Sequence, residues 1–511
     1  MSLTRDHWLS LQSTGPSQEA LRALLEIGQS AAEDSRSTQL IVGGGLAGIL
    51  TALRLSRGES KRKLVLLESK TTLGGRLFQI PPAPVGMGRV EVLAGQFSAD
   101  AWQHCSGPGF ELFDPTALEV YERHLRMNLS EEEIEFIDGF VAERLAADSE
   151  HVRKTFLVRK EFTNLTDVLA GSSEMLTRKE AESLQALAQG ETSAPEGEGP
   201  FETGAFWSAL PKVQKEALTP LLETLLGWPL DRTPSAVVQS VVQAFVGTHN
   251  STLPKWFVRA ARLELALEVV LLARGVDVRT QAEIVRAFVP EKKTDLTRVQ
   301  IADAYSKTPQ QLSVEKIAFA VPLMRTLSVL PREQLHAQHS KLVARHRPRS
   351  LVWVEYDSWR QALLPQGQFE WLKSGARIIC PVERVQGVCL SNGRLGFFTS
   401  IDFEDSLHAQ SVREALNRCR KAALRLLSEP HLKAAQQARP AAPGLTLMRE
   451  RISLMPVGYN LPRNESVPST TEVRMSAPNW YSAGDHFTFA AESWRNVVDS
   501  THEVVQVFAK G

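Results

Sequence analysis

The sequence predicts an α/β fold organised on a parallel sheet, and three neighbouring observations predict it. Leu40-Ile41-Val42 is a short apolar run of the kind that forms a buried strand, and Gly43, Gly45 and Gly48 follow it at G-x-G-x-x-G spacing. Leu46, Ile49, Leu50 and Leu53 then repeat at helical spacing. A second apolar run, Leu64-Val65-Leu66-Leu67, closes on Glu68. The order is strand, tight turn, helix, strand, with an acid at the end of the second strand.

Each part of that unit has a physical role in a Rossmann-like dinucleotide site. Gly43 permits the sharp turn, Gly45 lets backbone approach a diphosphate, and Gly48 lets the helix pack closely on the strand. The helix start at Leu46 and Ala47 offers N–H groups and the positive end of a dipole to phosphate. Glu68 can accept hydrogen bonds from ribose hydroxyls, with Ser69 beside it.

Composition bounds the rest. With 511 residues the chain is long enough for two or three domain-sized units. Hydrophobic residues make up 43% and charged ones 23%, as in globular proteins with a sizeable core. A formal net charge of +0 gives no electrostatic footprint for nucleic acid or an anionic membrane. Cys105, Cys380, Cys389 and Cys419 have no C-x-x-C or zinc spacing, so they read as reduced structural thiols and no metal site is expected. No apolar stretch is long enough to span a bilayer as a helix, and the first residues lack a secretory pattern. The expected compartment is the cytoplasm.

In chain order, residues 1–37 read as a polar extension with one amphipathic patch at Leu21, Leu24 and Leu25. After Glu68 comes Leu73-Gly74-Gly75-Arg76. This turn, with G-x-G-x-x-G and the acid before it, resembles the two-dinucleotide-binding-domain flavoproteins. Within them it is most similar to the flavin-dependent amine oxidases, which include monoamine, polyamine and L-amino-acid oxidases. The resemblance implies a discontinuous FAD-binding domain over 38–111, 250–330 and 456–511. It also implies an interleaved α+β substrate domain over 112–249 and 331–455. A generic helical cap is the alternative for the helical insertion. Under the resemblance, Gly74, Gly75 and Arg76 would lie against the flavin ribityl and phosphates. Gly95, Gln96 and Phe97 would form a turn beside the isoalloxazine ring.

Ser130 and Glu133 are spaced as a capping box ahead of Ile134, Ile137, Val141 and Leu145 on one helical face. Further helices are expected over 205–227, 235–247 and 256–272, with an exposed loop over 190–204. Gly275–Arg279 and Glu283–Phe288 read as strands. The resemblance implies that Val285 meets the adenine end through backbone groups. Leu253-Pro254-Lys255-Trp256 stands where relatives carry a glycine-rich turn. Lys316–Leu323 and Leu351–Tyr356 read as strands. Many amine oxidases carry a lysine near flavin N5 on the second of these, and here Val352 or Trp353 occupies that place. Ser391-Asn392-Gly393-Arg394 signals a hairpin, and a long helix is expected over about 408–428.

Near the C-terminus Trp480-Tyr481-Ser482-Ala483-Gly484-Asp485 reads as a strand and turn, followed by a helix over 494–509. The resemblance implies that Gly484 and Asp485 bind the ribityl or diphosphate region. It also implies that the helix N-terminus, with Asn496 and Val497, faces the flavin. Relatives have Gly-Ala and Ser-Gly where this chain has Asn496-Val497 and Ser500-Thr501. Some relatives attach the flavin covalently through a cysteine shortly before the Gly-Asp segment; this chain has none between 420 and 511, so the resemblance implies noncovalent FAD.

A flavin carries the redox chemistry itself, so no catalytic triad or metal cluster is required. Trp494 is a candidate to face the substrate, against plain packing. His486 is a candidate for proton transfer, against a structural hydrogen bond. The expected activity is hydride removal from an amine or amino acid, with oxygen or another acceptor reoxidising the flavin. Two alternatives stay open. One is a phytoene-desaturase-like or protoporphyrinogen-oxidase-like enzyme acting on C–C bonds. The other is a non-catalytic binding relative, as Rab GDP-dissociation inhibitors are.

Overall fold

A computed structural model describes residues 38–57, 63–70, 73–75, 126–142, 155–158, 162–164, 178–189, 205–227, 229–233, 238, 242, 266–289, 296–303, 309–322, 326, 329, 346–356, 377–389, 395–427, 450–462, 473–475, 477, 479–484 and 493–509. The expectations for 1–37, 190–204, 253–256 and 391–394 lie outside them.

The predicted strand–turn–helix–strand forms as read: β1 (Thr38–Val42), α1 (Leu46–Ser56) and β2 (Lys63–Glu68). The capping-box helix is α2 (Glu131–Ala142). It is followed by β3 (Thr155–Val158), β4 (Phe162–Asn164), α3 (Arg178–Gln189), α4 (Ala205–Ala209) and α5 (Lys212–Leu226). Of the helix expected over 235–247, Val238 and Val242 are described, both helical. Of that expected over 256–272, the part over 266–273 is described (α6). Then come β5 (Asp277–Thr280), β6 (Ala282–Phe288), β7 (Thr297–Asp303), β8 (Gln310–Val314) and β9 (Lys316–Phe319). The second half holds β10 (His346–Tyr356), β11 (Arg377–Cys380), β12 (Val385–Cys389), β13 (Leu395–Asp402), α7 (Phe403–Ser406) and α8 (Ala409–Leu427). β14 (Glu450–Pro462), β15 (Trp480–Ser482) and α9 (Ser493–Ala509) complete the order.

The organising sheet has the order β15-β9-β1-β2-β5, and every pairing in it is parallel. Parallel strands buried on both faces need continuous apolar runs, and those of β1, β2 and β9 are such runs. Alternate side chains supply the two faces. Ile41, Leu66, Ala318 and Tyr481 pack with α1, α2, α6 and α9 in one core cluster. Leu40, Val65, Leu67, Ile317, Phe319 and Trp480 pack on the other side with β6, β7 and β8, which form a three-stranded antiparallel sheet. Trp480 Nε1 donates to Thr297 Oγ1 across that interface at 3.0 Å.

The capping box is present. Ser130 N–H donates to Glu133 Oε2 at 2.8 Å, and Glu133 N–H donates to Ser130 Oγ at 3.3 Å. The same Glu133 carboxylate takes a two-pronged ion pair from Arg274, at 2.6 Å on each oxygen. Arg274 also donates to the carbonyls of Leu53 and Asn128, so one guanidinium joins the ends of α1, α2 and α6.

A second sheet runs β14-β10-β13-β12-β11-β3-β4 and is antiparallel except for the β11–β3 pairing. β12 and β13, the strands on either side of 391–394, pair antiparallel, with Cys389 opposite Leu395. Helices α5 and α8 pack on this sheet. Gln386 Nε2 donates to Thr224 O at 2.8 Å and holds the end of α5 against β12. Leu351, Trp353 and Phe398 turn toward the helical layer of the first sheet and join its core cluster.

Candidate functional site

The parallel strands all point the same way, so their C-terminal ends share one edge, and the loops leaving that edge are where an open α/β sheet takes its ligand. Gly43, Glu68, Ala320 and Gly484 sit at the exits of β1, β2, β9 and β15. The glycine turn, the acid and the Gly484 turn therefore meet at one edge, although hundreds of residues separate them in sequence.

The turn itself shows why glycines occupy it. Gly43 has φ +105°, a conformation L side chains rarely adopt, and its N–H donates to Leu67 O at 2.7 Å. A Cβ on Gly48 would lie 1.8 Å from Gly43 O, so only glycine lets α1 pass this close to the turn. Gly45 differs. Among the described residues a Cβ there would meet nothing nearer than Gly75 Cα at 3.8 Å, so none of them fills the space in front of its backbone. Gly45 is also the N-cap of α1, and no side chain caps the helix. An open space at an uncapped helix N-terminus is a cradle for an anion.

Leu46, Ala47 and Gly48 begin α1 and are buried, and the Leu46 and Ala47 side chains join the helical-layer core. Gly74 lies alongside Gly45 in a parallel bridge, and Gly74 N–H donates to Gly44 O at 2.8 Å. Gly75 follows with φ +56°. The two glycine turns, separate in sequence, thus form one wall.

Glu68 is buried, and its carboxylate is already held by three donors. Gly44 N–H reaches Oε2 at 2.7 Å, Lys70 N–H reaches Oε1 at 2.8 Å, and Ser69 Oγ–H reaches Oε1 at 3.3 Å. Each oxygen has two lone pairs; those of Oε1 are both engaged, so one acceptor position is left, on Oε2, for a hydroxyl donor. The acid was legible from its place at the strand end, while its tie to Gly44 was not, because that bond spans two strands.

Val285 is half exposed on β6, where the ladder to β7 slips between Ile284 and Arg286. Gly484 has φ +152° and closes the exit of β15. Asn496 lies in α9, and Val497 beside it is buried in the helical-layer core. Trp494 is in the first turn of α9. Arg76, Gly95, Gln96, Phe97, Asp485 and His486 lie outside the described residues. Among the described residues, no group of three or more His, Cys, Asp or Glu is placed to hold a metal ion, and no helix is long and apolar enough to cross a membrane.

On β10, Trp353 is buried. Its ring packs beside Phe398, with centroids 6.1 Å apart, and lies over Gly396, where a Cβ would be 2.1 Å from the indole. Trp353 occupies the face of β10 that turns toward the first sheet, and Val352 occupies the opposite one.

Sequence patterning did not single out Glu268. It sits in α6 among Leu267, Val269 and Val270, is almost wholly buried, and its Oε2 has no hydrogen-bond partner among the described residues. Burial pushes its carboxyl up to about 7. The one available signal was an acid inside an apolar helical run.

Residues 41–101 match the family of NAD(P)-binding Rossmann-like domains. No curated protein matches the chain in sequence. Several solved structures match the fold over most of the chain. An oxidoreductase from Methanosarcina mazei has 14% identity and a TM-score of 0.55, covering 92% of this chain and 100% of that one. A candidate protoporphyrinogen oxidase from Exiguobacterium sp. 255-15 has 14% identity and a TM-score of 0.55, covering 94% and 100%. Cyclohexylamine oxidase from Brevibacterium oxydans IH-35A has 14% identity and a TM-score of 0.54, covering 93% and 99%. The likeness is one of fold: a Rossmann-like α/β unit with a second, larger sheet interleaved.

Proposed function

We propose that this chain, which shares its fold with amine oxidases and other oxidoreductases, is an FAD-dependent oxidoreductase that removes hydride from a small amine or amino acid. The observation that carries the reading is the open cradle in front of Gly45, at an uncapped helix N-terminus on the carboxyl edge of the sheet. A diphosphate fits it chemically. Gly43, Gly45, Leu46, Ala47 and Gly48 would hold the diphosphate, and Glu68 with Ser69 would hold the ribose. Gly74, Gly75 and Arg76 would flank it, and Val285 would border the adenine. The second anchor, at Gly484 and the start of α9, argues for a group that extends past the diphosphate, as a flavin does. Asp485, Asn496 and Val497 belong to that end, together with the turn at Gly95, Gln96 and Phe97.

Bound there noncovalently, FAD would supply the two-electron chemistry, accepting hydride from the carbon that bears nitrogen. The protein's part is binding, orientation and exclusion of water. The positive end of α9 favours an anion at the flavin. Trp494 is the candidate to face the substrate, and His486 is the candidate for proton transfer. Oxygen or another acceptor would take the electrons onward.

A second reading has its own observation. The resemblance puts a lysine at Val352 or Trp353, and a packed Trp353 indole on the face of β10 toward the first sheet suits an apolar substrate oxidised at a C–C bond.

The test is the absorbance spectrum of the purified protein, before and after dithionite and again after heat denaturation. Flavin bands that bleach and then leave with the supernatant are expected. A colourless protein that gains no bands with added FAD would overturn the reading in favour of a binding protein. Anaerobic bleaching by amines, but not by apolar C–C donors, separates the two substrate classes.

Glu68→Gln gives a residue-level check. An amide keeps the shape but places an NH2 group where the carboxylate now accepts from Gly44 N–H or Lys70 N–H. Fluorescence titration should show FAD affinity falling by about tenfold, with stability reduced by about 1 kcal/mol. Unchanged affinity would mean that the ribose is held elsewhere.

A further inference from the structure

We infer that Ser500 is a positioning residue which fixes the flavin end of the site by locking the Gly484 turn to α9; the inference rests on the FAD reading above. A serine inside a helix ordinarily donates its hydroxyl proton back to a carbonyl one turn earlier. Ser500 is placed to do so, with Val497 O at 3.2 Å, but that uses only its donor. Its oxygen accepts the Gly484 N–H at 3.0 Å, and Gly484 O lies 3.3 Å from the same hydroxyl. Ser500 is fully buried, so water cannot take over either role.

The turn is held from two sides. Ala483 N–H donates to Phe319 O at 2.8 Å, pinning the chain to β9, and one residue later Ser500 pins it to α9. Ser500 lies nearly two turns into α9, so the start of the helix stands about 10 Å beyond this contact. Small movements at the latch are therefore magnified at the helix N-terminus. The chain leaves the latch directly into Asp485.

Thr501 is the control that the structure provides. It is as deeply buried, but its hydroxyl donates to Val498 O at 2.9 Å and accepts from Arg54 Nη1 at 2.7 Å. It sets α9 against α1 and does not touch the Gly484 turn. At the far end Lys316 Nζ donates to Phe508 O at 2.9 Å and caps the helix. These contacts seat α9, and among the described residues it is Ser500 that ties it to the Gly484 turn on the ligand edge.

The experiment compares full-length Ser500→Ala and Thr501→Ala by FAD titration of apoprotein, by flavin reduction potential, and by amide hydrogen exchange at Gly484 without FAD. Ser500→Ala should weaken FAD by about tenfold, shift the potential and speed exchange at Gly484. Thr501→Ala should lower thermal stability to a similar degree while leaving FAD affinity within about threefold. Equal effects of the two variants on FAD, or unchanged exchange at Gly484 in Ser500→Ala, would overturn the inference. If the wild-type protein itself takes up no FAD, the functional reading fails and the flavin role of Ser500 fails with it. Exchange at Gly484 then reports whether the latch exists.

Discussion

Gly48→Ala is expected to cost at least about 3 kcal/mol of stability and to abolish dinucleotide binding. The added methyl would lie 1.8 Å from Gly43 O and 3.0 Å from Gly43 C, and both are main-chain atoms. The turn cannot retreat. Gly43 N–H is bonded to Leu67 O, and Ala320 O lies 2.6 Å from where a Cβ on Gly43 would be. Helix α1 must instead back away from β1, opening the core that Ile49, Leu50 and Leu53 fill. Gly45→Ala makes the contrast. Its backbone is extended (φ −75°, ψ −175°) and the new methyl meets none of the described residues nearer than 3.8 Å, so stability should stay within about 1 kcal/mol. The methyl stands where a diphosphate would approach, so FAD affinity should fall by about 100-fold or more. Urea unfolding and fluorescence titration of both variants decide the matter. A Gly45→Ala protein that binds FAD normally would move the diphosphate away from this turn.

Glu268→Leu is expected to stabilise the protein at alkaline pH and to do much less in acid. Burial alone lifts the Glu268 carboxyl from 4.5 to about 7 in the folded protein. Below pH 4.5 both folded and unfolded chains hold the proton, and the group contributes no pH dependence. Between pH 4.5 and 7 the unfolded chain releases the proton while the folded one keeps it, so stability falls as pH rises. Above 7 both states are ionised, and the loss levels off at about 3 kcal/mol. Leucine removes the ionisation and keeps a similar volume among Leu267, Val269 and Val270. The stability gap between variant and wild type should therefore widen by roughly 2–3 kcal/mol from pH 5 to pH 8, measured by urea unfolding at each pH. A gap that does not change with pH would show that the carboxylate has found a partner.

Local signals in the sequence were sufficient for the elements that bear the cradle. Leu40–Val42, the glycine spacing and the Leu46–Leu53 pattern lie within a few turns of one another, and β1 and α1 follow them. Ser130 and Glu133 make their capping box within one helical turn, and α8 and α9 form close to their expected limits. The expected helix over 205–227 is instead two, Ala205–Ala209 and Lys212–Leu226, parted at Pro211. Proline has no N–H to continue a helix and is accommodated at its start.

Trp353 shows what periodicity alone could not decide. Alternation placed Val352 and Trp353 on opposite faces of a strand, but only packing against the first sheet shows that Trp353 faces it. Glu268 follows the same logic. Its apolar neighbours make a helix, yet whether an acid there is buried or solvated depends on what covers α6.

The sequence by itself determined the turn, the acid at the end of β2 and the type of most elements, because glycine sterics and apolar periodicity act over a few residues. Tertiary structure alone decided that Gly43, Glu68, Ala320 and Gly484 share one edge, that Gly74 lies against Gly45, and that Ser500 reaches the Gly484 turn. Those relations are set by strand order and by the need to pair buried polar groups, and both are settled only when distant segments pack.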